Sequence, residues 1–100
     1  MEKFHKILTD NLFHAVLSLQ SVEACSQFFE DVCTIIEIQE IAQRLEVARL
    51  LGEGRAYNDV AKQTGASTAT ISRVNKCISY GSGGYKMVLG RINEGMGENQ

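Results

Sequence analysis

The stretch "YNDVAKQTGASTATISRVNK", residues 57–76, decides the fold. It reads as two helices joined by a tight turn. Val60 and Ala61 face inward on the first; Ile71, Val74 and Ile78 face inward on the second, with Cys77 beside them. Where two helices cross steeply, a small residue must stand at the contact, and Ala61 supplies it. Gly65 follows four residues later, where the chain reverses and a positive φ is least strained. Ser67 is placed to cap the second helix through its hydroxyl, which leaves the first turn of that helix able to accept a phosphate. A small inward residue, a turn glycine and two aliphatics three apart are the pattern of a helix-turn-helix.

The outward face of the second helix carries Thr68, Ala69, Thr70, Ser72, Arg73, Asn75 and Lys76, without one acidic residue. Short hydroxyl and methyl groups let a helix approach base edges closely, and threonine or alanine can touch a thymine methyl. Arg73 and Lys76 have the reach for guanine edges or phosphates. Asn58, Lys62 and the backbone from Gly65 through Ala66 to Ser67 would hold phosphates beside them. An ordinary solvated face would mix glutamate with lysine.

Working outward, 100 residues with 44% hydrophobic composition are one small domain with material for a core. The net charge of −2 hides a division along the chain. Residues 1–54 hold four basic side chains against nine acidic ones, a balance of −5. Residues 55–91 hold six basic ones against Asp59 alone, a balance of +5. A basic half of this kind suits a polyanionic partner, because phosphate neutralisation supplies most of the non-specific affinity for nucleic acid.

No proline occurs, and the periodicity is helical almost throughout. Phe4, Leu8, Leu12, Ala15, Val16 and Leu19 form one stripe, widened by Ile7, Phe13 and Leu17. Val22, Cys25, Phe28, Phe29 and Val32 form another behind Ser21, a candidate N-cap. These two helices carry more apolar surface than a monomer of this size covers. "TIIE", residues 34–37, fits the capping box and opens a third helix. Ile38, Ile41, Leu45, Ala48 and Leu51 repeat along that helix, and Gly52 with Gly54 should stop it. After the helix-turn-helix, assigned to 57–80, the glycines at 81–84 predict a flexible joint. A short helix over 86–92 and a flexible tail over 93–100 complete the expected order.

At this point "QRLEVARLL" and "GASTATISRV" resemble the tryptophan repressor family, and within it the TrpR-like YerC/YecD subgroup, over about residues 4–92. The resemblance implies an all-α, Trp repressor-like domain over 1–92. It implies an intertwined homodimer in which helices over about 3–52 interlock between chains. Its partner would be a double-stranded, palindromic DNA operator whose successive major grooves receive the two recognition helices. The resemblance also implies an effector pocket, with Arg44 and Arg73 standing for the two arginines that hold tryptophan and Thr34 matching as well.

The remaining pocket positions depart from the family. Val74 replaces the glycine that makes room for the indole, Cys77 replaces a ligand-binding serine, and Asp31 stands where the partner chain offers a leucine. Adding bulk beside a recognition helix typically costs about 1–3 kcal/mol. The expected regulator therefore works without free tryptophan, either alone or with another small molecule. Arg44 is then expected to pair with a nearby carboxylate.

Two further classes fit less well. The same helices could serve as a protein-interaction module in a larger transcription or recombination complex, although such a surface need not carry +5 over residues 55–91. An enzyme would need a nucleophile beside a base, a phosphate-cradling loop after a strand, or a metal cluster, and the sequence offers none. His5 and His14 lack companion ligands, so neither a metal site nor a cofactor is expected. Cys25, Cys33 and Cys77 form no C-x-x-C pair and suit a reducing compartment. With no signal-peptide core and no apolar run long enough to span a bilayer, a cytoplasmic protein without a membrane partner is expected.

Overall fold

A computed structural model describes the backbone of residues 2–98 and the side chains of residues 2–93. Six helices follow one another, and the described residues contain no strand: α1 (Glu2–Leu17), α2 (Val22–Val32), α3 (Ile35–Gly52), α4 (Tyr57–Thr64), α5 (Thr68–Tyr80) and α6 (Gly84–Glu98). The chain divides into two compact units, Met1–Ile38 and Gln39–Gln100, with the boundary inside α3. The expected all-α helix-turn-helix fold is present.

In the first unit the helix starts follow the sequence signals. The Ala24 amide donates to Ser21 Oγ at 3.0 Å, so Ser21 caps α2. The capping box closes in both directions: the Thr34 amide donates to Glu37 Oε1 at 2.8 Å, and the Glu37 amide donates to Thr34 Oγ1 at 3.1 Å. Neither α1 nor α2 has a buried residue. Leu17 is 78% exposed and Val22 81%, so the wide apolar faces read from the sequence stand open in the single chain.

The second unit holds the core. Val47, Ala48 and Leu50 of α3, Val60 of α4, Ala66 of the turn and Ile71 and Val74 of α5 are buried; Ala61, Ile78, Tyr85 and Leu89 pack against them. The expected stripe on α3 is corrected here. Ala48 is buried and Leu51 half-buried, but Ile38 and Leu45 are only half-buried and Ile41 is exposed. At 3.6 residues per turn, Val47, Leu50 and Leu51 lie on the opposite side of the helix from Ile38, Ile41 and Leu45. A helix apolar on two sides yields two valid stripes, and of the expected one only Ala48 and Leu51 join the packing of the helix-turn-helix.

The stop of α3 is a Schellman arrangement. Gly54 has φ +84°, its amide donates to Leu51 O at 3.0 Å, and the Arg55 amide donates to Leu50 O at 3.2 Å. Gly54 therefore terminates the helix, whereas Gly52 remains its last residue. The C-terminal expectations shift most. Helix α6 begins at Gly84 and its backbone stays helical to Glu98, where a short helix over 86–92 and a flexible tail were expected. With no proline present, glycines in this segment weaken a helix by about 1 kcal/mol each without breaking it. Cys25, Cys33 and Cys77 are free thiols.

Candidate nucleic-acid interface

Every turn of the chain between residues 60 and 70 is tied by a short hydrogen bond. Gly65 adopts the left-handed conformation, φ +74° and ψ 5°, and its amide donates to Ala61 O at 2.9 Å. Thr64 Oγ1 donates to Val60 O at 2.7 Å and accepts from the Ala66 amide at 3.1 Å. Ser67 Oγ accepts from the Thr70 amide at 3.1 Å and donates to Thr70 Oγ1 at the same distance, 3.1 Å. The carbonyl of Thr64 accepts from Gln43 Nε2 of α3 at 3.0 Å. Helix α5 therefore starts from a fixed point.

The outward residues of α5 stand largely as expected: Thr68, Ala69, Ser72, Arg73 and Lys76 are exposed, as are Asn58 and Lys62 of α4. Thr70 and Asn75 are half-buried. Ala66 is corrected. It is only 6% exposed, its methyl belongs to the core, and its amide is engaged by Thr64. The Gly65 amide is likewise taken by Ala61, so neither can clamp a phosphate. Two donors with internal acceptors have nothing left to offer an anion. The amides of the first helical turn, at Thr68 and Ala69, by contrast have no intrahelical acceptor.

The expected effector residues separate. A cleft of about 510 Å³ in the second unit is lined by Ile41, Arg44 and Leu45 of α3, Cys77 of α5, and Tyr85 and Val88 of α6, together with the glycine joint. It brings Arg44 and Cys77 together. Val74 is not on its wall: at 1% exposure it is a core residue, and Arg73 is exposed away from the lining. Thr34 belongs to the other unit. Arg44 is half-buried and, among the described residues, forms no ion pair, contrary to the expected carboxylate partner.

Two carboxylates further along, Glu46 and Glu53, are taken by Arg49. Glu46 accepts from Arg49 Nε at 2.7 Å and from Nη2 at 2.8 Å, while Glu53 accepts from Arg49 Nη1 at 3.2 Å. Hydrogen bonding by Arg49 holds the Glu46 carboxyl below its ordinary value, and the same bond with Glu46 pushes the Arg49 guanidinium further up. Arg49 is thereby removed from the cations free to meet a phosphate. Its spacing to Glu46 and Glu53, three and four residues on one helix, was visible in the sequence. Gln43 carried no comparable signal, because its partner lies 21 residues away.

No three histidine, cysteine, aspartate or glutamate side chains gather as a metal site among the described residues. No helix among them is long and apolar enough to cross a membrane.

Residues 8–93 match the family described as Trp repressor protein. This chain belongs to the Trp repressor family. Within it, the chain is 56% identical over 85 residues to the YerC protein of Bacillus subtilis, a match covering 85% of this chain and 82% of that one. Among solved structures, a candidate Trp repressor from Staphylococcus aureus superposes with a TM-score of 0.86 at 46% identity, covering 92% of each chain. A TrpR-like protein from Eubacterium eligens superposes with a TM-score of 0.87 at 49% identity, covering 93% of this chain and 96% of that one. These likenesses place the chain in the TrpR-like YerC subgroup, and membership of the Trp repressor family is that of a helix-turn-helix DNA-binding regulator.

Proposed function

We propose that this Trp repressor family member is a sequence-specific, double-stranded DNA-binding repressor that acts as a homodimer on a palindromic operator without free tryptophan as corepressor. The carrying observation is the exposed face of α5. Thr68, Ala69, Ser72, Arg73 and Lys76 project from a helix whose start is fixed by Ser67, with no acidic side chain among them. Phosphate contacts from Lys62, Lys76 and the first-turn amides set the register, and Arg73 with the short side chains reads base edges. The half-site separation follows from the two-fold axis.

The unburied faces of α1 and α2 support association of two copies, since contiguous apolar surface of that extent marks an interface. Two features support independence from tryptophan: Val74 fills the core, and the cleft joins Arg44 to Cys77 without Arg73. A different small effector, if one acts, would meet Arg44 and an apolar wall. The chemistry assigned to these residues is binding, not catalysis.

Fluorescence anisotropy on duplexes chosen by selection from a random library tests the proposal. Affinity should fall steeply as salt rises, Arg73→Ala should weaken the selected site by about ten- to a hundredfold, and tryptophan should change nothing. Salt-insensitive binding, or no binding to any duplex, would reject DNA recognition and favour a protein-docking role for the same helices.

A further inference from the structure

The bond from Gln43 Nε2 to Thr64 O differs in kind from the other side-chain hydrogen bonds. Those among the described residues span four positions or fewer, serving caps and turns within one segment, whereas Gln43 reaches across 21 positions. It is the one directional tie between α3 and the helix-turn-helix. The rest of that junction is Val47, Ala48 and Leu50 packed with Val60, Ile71 and Val74, and apolar packing has no preferred direction in itself.

We infer that Gln43 is a positioning residue for DNA recognition: it sets the angle at which α5 leaves the body of the protein, and with it the operator spacing a dimer accepts. The inference rests on the DNA-binding reading above. Its geometry is local to one turn. Thr64 O is a C-terminal carbonyl of α4 that lacks an intrahelical donor, and the Gln43 amide supplies one. Gln43 Nε2 also lies 3.9 Å from where a Cβ on Gly65 would stand, so the amide sits directly over the reversal of the chain. The Thr64 hydroxyl and the Gly65 and Ala66 amides close within α4 and the turn, on Val60, Ala61 and Thr64. Only the Thr64 carbonyl is answered from another helix. A small rotation of the motif about its apolar contact would stretch this bond first, and in a two-fold assembly the rotation would appear as a changed distance between recognition helices.

The test is a selection from duplexes carrying paired half-sites with varied spacers, run on the full chain and two variants. Gln43→Met keeps length and removes the donor; Gln43→Lys retains a donor on a side chain one atom longer. The wild type should return a narrow spacing. Gln43→Met should return a broad one and lose about five- to tenfold on the wild-type site, with non-specific affinity unchanged. Gln43→Lys should recover the narrow spacing. Amide exchange without DNA gives a second readout: Gly65 and Ala66 should exchange faster in Gln43→Met, while Val47 in the core should not. An unchanged spacing in Gln43→Met, or equal losses in both variants, would overturn the inference. If Gln43→Met does not fold, Gln43→Leu, which also lacks the donor, takes its place in both readouts. If the wild type binds no duplex, the DNA-binding reading falls, and exchange at Gly65 and Ala66 still decides whether Gln43 positions the turn.

Discussion

Glu46 grips Arg49 through two parallel hydrogen bonds, Nε to Oε1 at 2.7 Å and Nη2 to Oε2 at 2.8 Å. A fork-to-fork pair of this kind is the strongest geometry open to an exposed ion pair. It also decides how the protein answers acid, together with the Glu37 carboxylate that the Thr34 amide holds below its ordinary value.

Both carboxyls are depressed in the folded protein from an ordinary value of 4.5. Their stabilisation is therefore complete above that value and is lost as pH falls through the lower, folded values. Thermal melts taken from neutral pH down to about pH 3 should show the melting temperature falling below about pH 4.5. Glu37→Gln and Glu46→Gln should each flatten that fall. An unaltered acid slope in both variants would contradict the assignment.

Gly65→Ala should destabilise the fold by about 1–2 kcal/mol in urea titration, because φ +74° is the left-handed conformation that a Cβ disfavours. Space is not the obstacle, as Gln43 Nε2 would be 3.9 Å from the new methyl group. A loss well under that range would mean the turn relaxes.

Ser67→Ala should cost about 1 kcal/mol by removing the acceptor for the Thr70 amide. Ser67→Asp should retain most of the stability, since aspartate caps as well as serine. The same denaturation series checks both, and equal losses would show that the cap contributes nothing.

Val74 and Cys77 lie about one turn apart on α5 and should respond very unequally. Val74→Ala removes two buried methyl groups' worth of packing and should cost about 2 kcal/mol. Cys77→Ser changes an exposed cleft residue and should stay within about 0.5 kcal/mol of wild type. A reversed order would return Val74 to the cleft.

Features governed by near neighbours were legible in the sequence. Ser21, the Thr34–Glu37 box, Gly65 and Ser67 each act across three or four residues, and each was found where its residue type pointed. What escaped depended on choosing between equivalent local solutions or on distant partners. Ile41 and Val47 are both aliphatic on opposite sides of α3, and only packing against α4 and α5 selects Val47. Ala66 looked like a small turn residue beside DNA because nothing local reveals that its methyl fills the core. Gln43 looked like any polar helix residue. The proposed base and phosphate contacts of Thr68, Arg73 and Lys76 rest on exposure and chemistry, which a sequence conveys well and a single chain does not alter.

The absence of any buried residue from α1 and α2 has a consequence for what stability means here. Among the described residues, a lone chain draws its cohesion from seven buried side chains, all in the second unit. In the proposed homodimer the remaining stabilisation comes from a second copy in solution, by mass action. The melting temperature should accordingly climb as the protein is concentrated, and a cell producing few copies would hold a softer molecule than one producing many. Abundance itself then becomes a setting of the regulator, adjusted before any ligand arrives.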